Sequence, residues 1–225
     1  MKRYLPFAII VLVALVTGGV ATTLYRAKMR PASRASAAVT STPLVAHEKE
    51  DGSLHTRGPR TAPVTIEMYG DFQCPPCALA STLIVDLEKQ YGEQLRVIFH
   101  EFPLEMHKYA MTAAMAAEAA GLQGHFWEMH DMLYKYQSVW SEATVASRFF
   151  TAYAESLGLD VGQFEMDANS PEVRARVISE GDAGVARGVK NTPTIFINRR
   201  EVVGGFRPEI LKAAIDSALA EKKKS

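Results

Sequence analysis

Two cysteines, Cys74 and Cys77, are the residues with the clearest chemical potential, and two prolines stand between them. They are the only cysteines among 225 residues. A cysteine reacts in disulfide exchange as the thiolate, and a helix N-terminus stabilises a thiolate through its dipole and its free N–H groups. The spacing therefore predicts a redox pair at the start of a helix. We expect Cys74 to be the exposed sulfur and Cys77 to be the more buried one.

The elements on either side of the cysteines must hold this pair. A β-rich run over residues 64–69 predicts a strand, and residues 70–73 form a loop. Proline is tolerated in the first helical turn, where the backbone N–H groups lack intrahelical partners. Apolar residues recur every four positions in the following helix and predict its buried stripe: Leu79, Leu83, Leu87 and Tyr91.

The remaining pattern alternates strand and helix signals. Further strands are predicted at 95–99, 194–197 and 201–203, and helices at 106–120, 126–136, 144–157, 172–187 and 208–220. The strand–helix–strand start is typical of a parallel pair joined by a crossover. The chain thus has an α/β pattern with a long helical segment in its middle.

Five segments together carry a family resemblance, and they extend from about residue 60 to the C-terminus. They are Ala62–Ile66, Asp71–Cys77, Glu101–Leu104, Phe126–His130 and Gly188–Thr194. With these segments the chain resembles the DsbA-like branch of the thioredoxin superfamily. The resemblance implies an α/β thioredoxin-like fold at 62–225, with an inserted helical subdomain at 105–188.

The resemblance also implies a set of site residues. Pro193 matches the cis-proline that lies beside the redox pair in this family, so the Thr192–Pro193 bond is expected to be cis. Cys74, Cys77 and Pro193 are expected to be catalytic, and Thr192, Pro75 and Pro76 to contact substrate. No cofactor and no metal are expected. The implied partners are protein thiols or disulfides and a membrane redox partner that resets the pair, with oxidation favoured over reduction or isomerisation.

Two positions depart from the family pattern. An acidic residue usually stands six positions before the first cysteine, where this chain has Met68. Glu67 is one residue earlier, and because side chains alternate along a strand it is expected to point away from the site. The residues between the cysteines include no histidine, unlike those of strong oxidants in the family. A moderate rather than extreme oxidant is therefore predicted.

The N-terminal segment indicates export. Lys2 and Arg3 precede an uncharged apolar run over residues 4–25, which is long enough to cross a bilayer as a helix. We interpret residues 1–25 as a signal anchor or a cleaved signal peptide and 26–61 as a flexible tether. The redox domain is accordingly expected outside the cytoplasm, at the periplasmic or cell-surface side of the membrane.

Charge and cysteine count narrow the function classes. Residues 1–60 hold nine Lys/Arg and three Asp/Glu, whereas residues 61–225 hold sixteen Lys/Arg and twenty-two Asp/Glu. The acidic charge of residues 61–225 argues against nucleic acid as a partner. Two cysteines exclude a fold held by several disulfides and a four-cysteine zinc site within one chain. A zinc half-site shared by a dimer, inert structural cysteines and a non-enzymatic binding module remain as alternatives to the redox enzyme.

Overall fold

The computed structural model describes residues 55–223. The predicted membrane or signal segment and most of the predicted tether lie outside these residues. Across 55–223, no helix combines the length and the apolar character that a membrane crossing requires. The sheet of this part has five strands in the order β1-β3-β2-β4-β5: β1 (His55–Arg57), β2 (Val64–Gly70), β3 (Leu95–Glu101), β4 (Thr194–Ile197) and β5 (Arg200–Glu201). Strands β2 and β3 are parallel, and the other pairs are antiparallel.

In the described residues, one α-helix follows β2, six lie between β3 and β4, and one follows β5. They are α1 (Pro75–Tyr91), α2 (Ala110–Leu122), α3 (Phe126–Lys135), α4 (Gln137–Trp140), α5 (Ser147–Ser156), α6 (Val161–Ala168), α7 (Pro171–Ala186) and α8 (Pro208–Lys222). Helices α2 to α7 lie between β3 and β4 in sequence and form the helical insertion. This architecture confirms the predicted α/β thioredoxin-like fold with an inserted helical subdomain.

The predicted boundary between tether and domain is wrong at residues 55–57. These residues were assigned to the tether, but they form β1 along the edge of β3. The ring of His55 stacks on Phe126 with centroids 3.4 Å apart, and its Nε2 lies 2.5 Å from Glu118. A free strand edge exposes unpaired backbone groups, and β1 supplies partners for them. The short polar strand carries no alternating apolar pattern that could have indicated it.

The predicted buried stripe of α1 is also partly wrong. Leu79 is 66% exposed, whereas the buried face consists of Cys77, Ala80, Ser81, Ile84, Leu87 and Tyr91. A strict four-residue repeat rotates by about 40° per step around a helix of 3.6 residues per turn. Consequently Leu79 at the start of the repeat lies on a different face from Tyr91 at its end.

Within the insertion, helices α4 and α6 were not predicted, and α2 begins later than predicted. Helix α6 begins at its N-cap Asp160, whose side chain accepts from the Gln163 N–H at 2.9 Å. Helix α2 begins at Ala110 rather than at residue 106, because the preceding residues contribute to the loop beside the cysteines. Beyond the insertion, β5 ends at Glu201, and Val203 is 84% exposed.

Candidate active site

The start of α1 holds the two cysteines. Cys74 is the N-cap of the helix, and Pro75 and Pro76 form its exposed first turn. The Cys74 N–H donates to Asp71 O at 3.1 Å, and the Cys77 N–H donates to Cys74 O at 3.0 Å. The two thiols are free and lie one helical turn apart at the N-terminus of the helix. This is the placement that the spacing predicted.

Cys74 is more exposed than Cys77, as expected, but it is much more buried than expected. Cys74 is only 5% exposed and Cys77 is fully buried. Cys74 is less exposed than expected because residues of two distant segments lie against it. One is the loop at Thr192, and the other is the short helix α4.

The peptide bond between Thr192 and Pro193 is cis, as the resemblance implied. The Cys74 Sγ lies 3.4 Å from the carbonyl oxygen of Thr192. Strand β4 begins at the next residue, Thr194, which pairs with Tyr69 near the end of β2. Because β2 also leads directly to the cysteines, the central sheet holds the proline loop and the start of α1 side by side.

The electrostatics of the two thiols differ strongly. The Cys77 thiol, together with Thr192 and the backbone N–H of Cys77, lowers the pKa of Cys74 to about 6, against the opposing effects of burial and of Asp71. Burial and the neighbouring Cys74 raise the pKa of Cys77 far above its ordinary value. At neutral pH the pair therefore consists of one thiolate and one thiol, which can donate to it.

Gln137 holds the backbone around the cysteines, although no motif or spacing in the sequence indicates this role. Its Nε2 donates to Phe72 O at 2.6 Å and to Cys74 O at 3.0 Å. The side chain is buried, so Phe72 O would lose this partner if it were removed, whereas Cys74 O would keep the Cys77 N–H. Helix α4 of the insertion thus holds the loop that leads into α1.

Asp71 organises a second set of contacts at the same loop. Its Oδ1 accepts from the Gln73 N–H at 2.7 Å, and its Oδ2 accepts from the Leu104 N–H at 2.9 Å. The same Oδ2 lies 2.7 Å from Nδ1 of His107, in the segment before α2. Asp71 is 1% exposed, so its negative charge acts on Cys74 with little screening by water.

Glu67 lies on the face of the sheet away from the cysteines, as its position in the strand predicted. It forms a two-pronged ion pair with Arg187 and lies 3.7 Å from Nε2 of His100. Burial raises the pKa of Glu67, but its interactions with His100 and Arg187 outweigh it and bring the pKa to about 2. Met68, the next residue, faces the core that contains Cys77.

Metal ligation was the other chemistry considered for the cysteines. In the part of the chain that the structure describes, no three His, Cys, Asp or Glu side chains are grouped so that they could hold a metal ion.

Comparison with known proteins places the chain in a family. The thioredoxin family model matches residues 50–217. A thioredoxin-like oxidoreductase from Silicibacter pomeroyi DSS-3 superposes with a TM-score of 0.63 at 25% identity, over 74% of this chain and 92% of that chain. BdbD from Bacillus subtilis superposes with a TM-score of 0.66 at 22% identity, over 73% and 92%. Wolbachia pipientis alpha-DsbA1 superposes with a TM-score of 0.65 at 17% identity, over 74% of this chain and 91% of that chain.

The curated relatives are named as cation antiporters and are much longer than this chain. A protein named Na(+)/H(+) antiporter NhaA 1 from Salinispora arenicola is 40% identical over 167 residues, which are 74% of this chain and 25% of that protein. One from Mycolicibacterium gilvum is 35% identical over 168 residues, or 72% and 26%. The chain therefore spans about a quarter of the length of these relatives.

Proposed function

This chain belongs to the thioredoxin family and has the fold of DsbA-like proteins, and from that premise we propose that it is a thiol–disulfide oxidoreductase acting on proteins through Cys74 and Cys77. One observation carries the proposal. A thiol with its pKa lowered to about 6 lies at a helix N-terminus against Thr192, with a second, fully buried thiol one turn away. The proposal does not include cation antiport, which is named only for the longer relatives, because this chain matches only a quarter of their length.

Each site residue has a proposed role. Cys74 exchanges with the substrate sulfur, because its thiolate is the reactive form at neutral pH. Cys77 resolves the mixed disulfide from its buried position. The backbone of Thr192 lies where an extended substrate could pair with it by strand addition, and Pro193, Pro75 and Pro76 border that contact.

Oxidation of substrates is the favoured direction. The low pKa of Cys74 stabilises the reduced form of the pair, and a stabilised reduced form makes the disulfide a stronger oxidant. The pKa of about 6 lies between that of a free thiol, ~8.5, and that of the strongest oxidant of this type, ~3.5. A potential between those of thioredoxin and that oxidant follows.

The remaining parts of the proposal concern location and partners. Residues 4–25 would anchor the chain in the cytoplasmic membrane or direct its export, and 26–54 would tether the domain at the outer side. There the domain would oxidise protein thiols, and a membrane redox partner would restore its disulfide. In cells expressing the full chain, protease added to spheroplasts should digest the domain, and full protection would contradict this location.

The function is tested by trapping and by redox equilibrium. Cys77→Ala should accumulate mixed disulfides with substrate proteins on Cys74, visible in non-reducing gels, because the resolving sulfur is lost. Cys74→Ala is the matched control and should trap far less, since its remaining sulfur is fully buried. Titration of the unmodified protein against glutathione should give a reversible two-electron transition. A failure to form the Cys74–Cys77 disulfide would exclude the proposed function.

A further inference from the structure

A buried carboxylate beside the cysteines is paired with a histidine. Asp71 is 1% exposed, and its ion-pair partner in the described part of the chain is His107, whose Nδ1 lies 2.7 Å from Oδ2. A buried charge is costly unless it is paired or hydrogen-bonded. Asp71 accepts backbone hydrogen bonds as well, but of these partners only the histidine can change its charge.

The pair joins the turn before α2 to the loop before α1. The His107 N–H donates to Leu104 O at 3.0 Å and closes a turn over residues 104–107. Both ends of this turn contact one atom, because the Leu104 N–H and the His107 Nδ1 both lie against Asp71 Oδ2. On the other side, the Gln73 N–H donates to Asp71 Oδ1 at 2.7 Å. One carboxylate therefore fixes the turn and the loop relative to each other.

A second contact holds the same two segments together without the histidine. The Tyr109 N–H donates to Gln73 Oε1 at 2.5 Å. The Tyr109 hydroxyl donates to Ala143 O at 2.7 Å, which ties the turn to the end of α4 as well. These bonds remain when His107 is replaced, so the turn is expected to stay in place in His107 variants.

Asp71 lies where the loop meets the redox pair. Its backbone carbonyl accepts the Cys74 N–H at 3.1 Å, so the carboxylate and the sulfur belong to the two ends of one tight turn. The Cys77 thiol lowers the pKa of Cys74 to about 6, and the charge of Asp71 opposes this lowering. A group that offsets the charge of Asp71 therefore favours the Cys74 thiolate.

The contact determines which nitrogen of His107 carries a proton. A carboxylate only accepts hydrogen bonds, so Nδ1 is the donor to Oδ2. The second nitrogen, Nε2, then sets the charge of the ring, which is neutral without a proton there and an imidazolium with one. The His107 side chain is 21% exposed and that of Asp71 is fully buried, so the histidine is the member of the pair that exchanges a proton with solvent.

Other titratable groups around Asp71 do not supply this compensation. Its charge acts on Glu101 of β3 and on Tyr134 of α3, but burial, the largest cause, raises the pKa of both, so both are neutral at neutral pH. Glu105 and Lys108, on the turn itself, are exposed and of opposite charge, and water and salt screen them. The histidine is thus the group whose charge acts directly on the buried carboxylate.

We propose that His107 is a positioning residue of the redox pair, which holds Asp71 at the loop before α1 and, as an imidazolium, neutralises the carboxylate charge beside Cys74. Protonation of His107 favours the Cys74 thiolate, and deprotonation restores the opposing charge. A stabilised thiolate stabilises the reduced pair, so the protein is more oxidising when His107 is an imidazolium. The inference rests on the proposed exchange function and adds a residue that tunes it.

The test compares His107→Asn with the unmodified full chain in detergent. Asn places an amide donor as many bonds from Cβ as Nδ1 but carries no positive charge. Alkylation of Cys74 by iodoacetamide should therefore follow a higher pKa. Above that pKa, the equilibrium constant for reduction of the disulfide by glutathione should fall by the same factor as the acid dissociation constant of Cys74. His125→Asn is the control, because His125 pairs with Glu128 at the start of α3, and it should change neither quantity.

A double variant shows whether His107 acts through Asp71. Asp71→Asn removes the charge that the imidazolium offsets, so in this background His107→Asn should have no further effect on the alkylation profile or on the glutathione equilibrium. A merely structural role of the histidine would give the same shift in both backgrounds.

A measurement on the unmodified protein keeps the test valid if a variant folds poorly. Coupling between two titrating groups is reciprocal, so the Cys74 thiolate must favour the imidazolium as much as the imidazolium favours the thiolate. The Cys74–Cys77 disulfide has no such negative charge. The assigned ring proton signal of His107 should therefore titrate at a higher pH in the reduced protein than in the oxidised one.

Four outcomes decide the matter. A higher pKa of Cys74 in His107→Asn that disappears in the Asp71→Asn background supports the assignment, as does a redox-dependent titration of His107. An unmodified protein that exchanges with glutathione while His107→Asn keeps its alkylation profile overturns the assignment and leaves the proposed function intact. The same holds if His107 titrates identically in both redox states. An unmodified protein that does not exchange with glutathione overturns both.

Discussion

The sulfur of Cys74 lies 3.4 Å from the carbonyl oxygen of Thr192, although 118 residues separate the two. This contact brings together the N-terminus of α1 and the loop before β4, which are adjacent because both flank the central strand β2. It contributes to the low exposure of Cys74, while the next two residues, Pro75 and Pro76, are exposed. The reactivity of this one sulfur is therefore the first property to measure.

Alkylation of Cys74 should follow a pKa of about 6. The rate should decline as the pH falls through this value, since the thiol form reacts poorly. Both residues after Cys74 are prolines and donate no N–H, so Pro76→His should add a nearby cation or donor and lower the pKa further. Iodoacetamide labelling of Cys74 against pH checks both values with Cys77 kept in place, because the Cys77 thiol lowers the pKa of Cys74 and is itself fully buried. A pKa below about 4.5 in the natural sequence would contradict this electrostatic account.

Asp71→Asn should lower the pKa of Cys74. Asp71 raises that pKa through its charge, so removing the charge should shift the pKa of Cys74 downward. The protein should also become more oxidising and lose on the order of 1–3 kcal/mol of stability, because Asp71 accepts hydrogen bonds at both carboxylate oxygens whereas the Asn amide accepts at only one of its two terminal atoms. Asp86→Asn is the control, since Asp86 is exposed and pairs only with Lys89 nearby. Equal shifts in the two variants would refute the local charge effect.

The local parts of the site could be predicted from the sequence. The cysteines, the prolines between them and the start of α1 are neighbours along the chain, so spacing and helix chemistry suffice to place them. The face of Glu67 also follows from strand alternation alone. The Thr192–Pro193 contact required the family resemblance, because nothing local links it to Cys74.

The residues that support the site could not be predicted, because each acts over a long separation. Gln137 reaches Cys74 O across 63 residues, and His107 reaches Asp71 across 36. A glutamine and a histidine in a helical segment look like ordinary surface residues until the insertion is folded over the loop. Glu101 is a stronger case, since a charged residue at the end of a strand is usually solvated, and only the packing of α2, α3 and α7 reveals its burial.

Glu67→Gln should change acid stability without changing thiol exchange. The pKa of Glu67 is about 2 in the fold and 4.5 ordinarily, so its carboxylate stabilises the fold above about pH 4.5 and this stability is lost as the pH falls toward 2. The total is on the order of 2–3 kcal/mol. Urea unfolding at several pH values should show a weaker pH dependence in Glu67→Gln, whereas Glu209→Gln, on an exposed side chain, should resemble the unmodified protein.

Glu67→Gln also tests whether the Glu67 carboxyl group influences the redox potential of the cysteines. Glu67 faces Arg187 and His100, away from the cysteines, so the glutathione potential of Glu67→Gln should equal that of the unmodified protein. A shifted potential would mean that the charge of Glu67 acts on Cys77 through the sheet.

Gly70→Ala should destabilise the protein because the space at Gly70 is filled. A Cβ there would lie 2.6 Å from the Phe99 ring and 2.8 Å from the Tyr134 hydroxyl. Overpacking of this kind costs roughly 1–3 kcal/mol. Gly181→Ala is the control: it lies in α7 with nothing within 4 Å of the added Cβ, so it should stabilise by roughly 0.5–1 kcal/mol.

The contribution of the phenol can be isolated with a double-mutant cycle. Tyr134→Phe removes the hydroxyl and leaves the ring, so in combination with Gly70→Ala it relieves one of the two close contacts while that with Phe99 remains. The double variant should therefore be more stable than the sum of the two single changes predicts, by about 0.5 kcal/mol or more, which exceeds the scatter of independent sites. Free energies from urea unfolding of all four proteins give the coupling. Strict additivity would mean that the hydroxyl does not lie at Gly70.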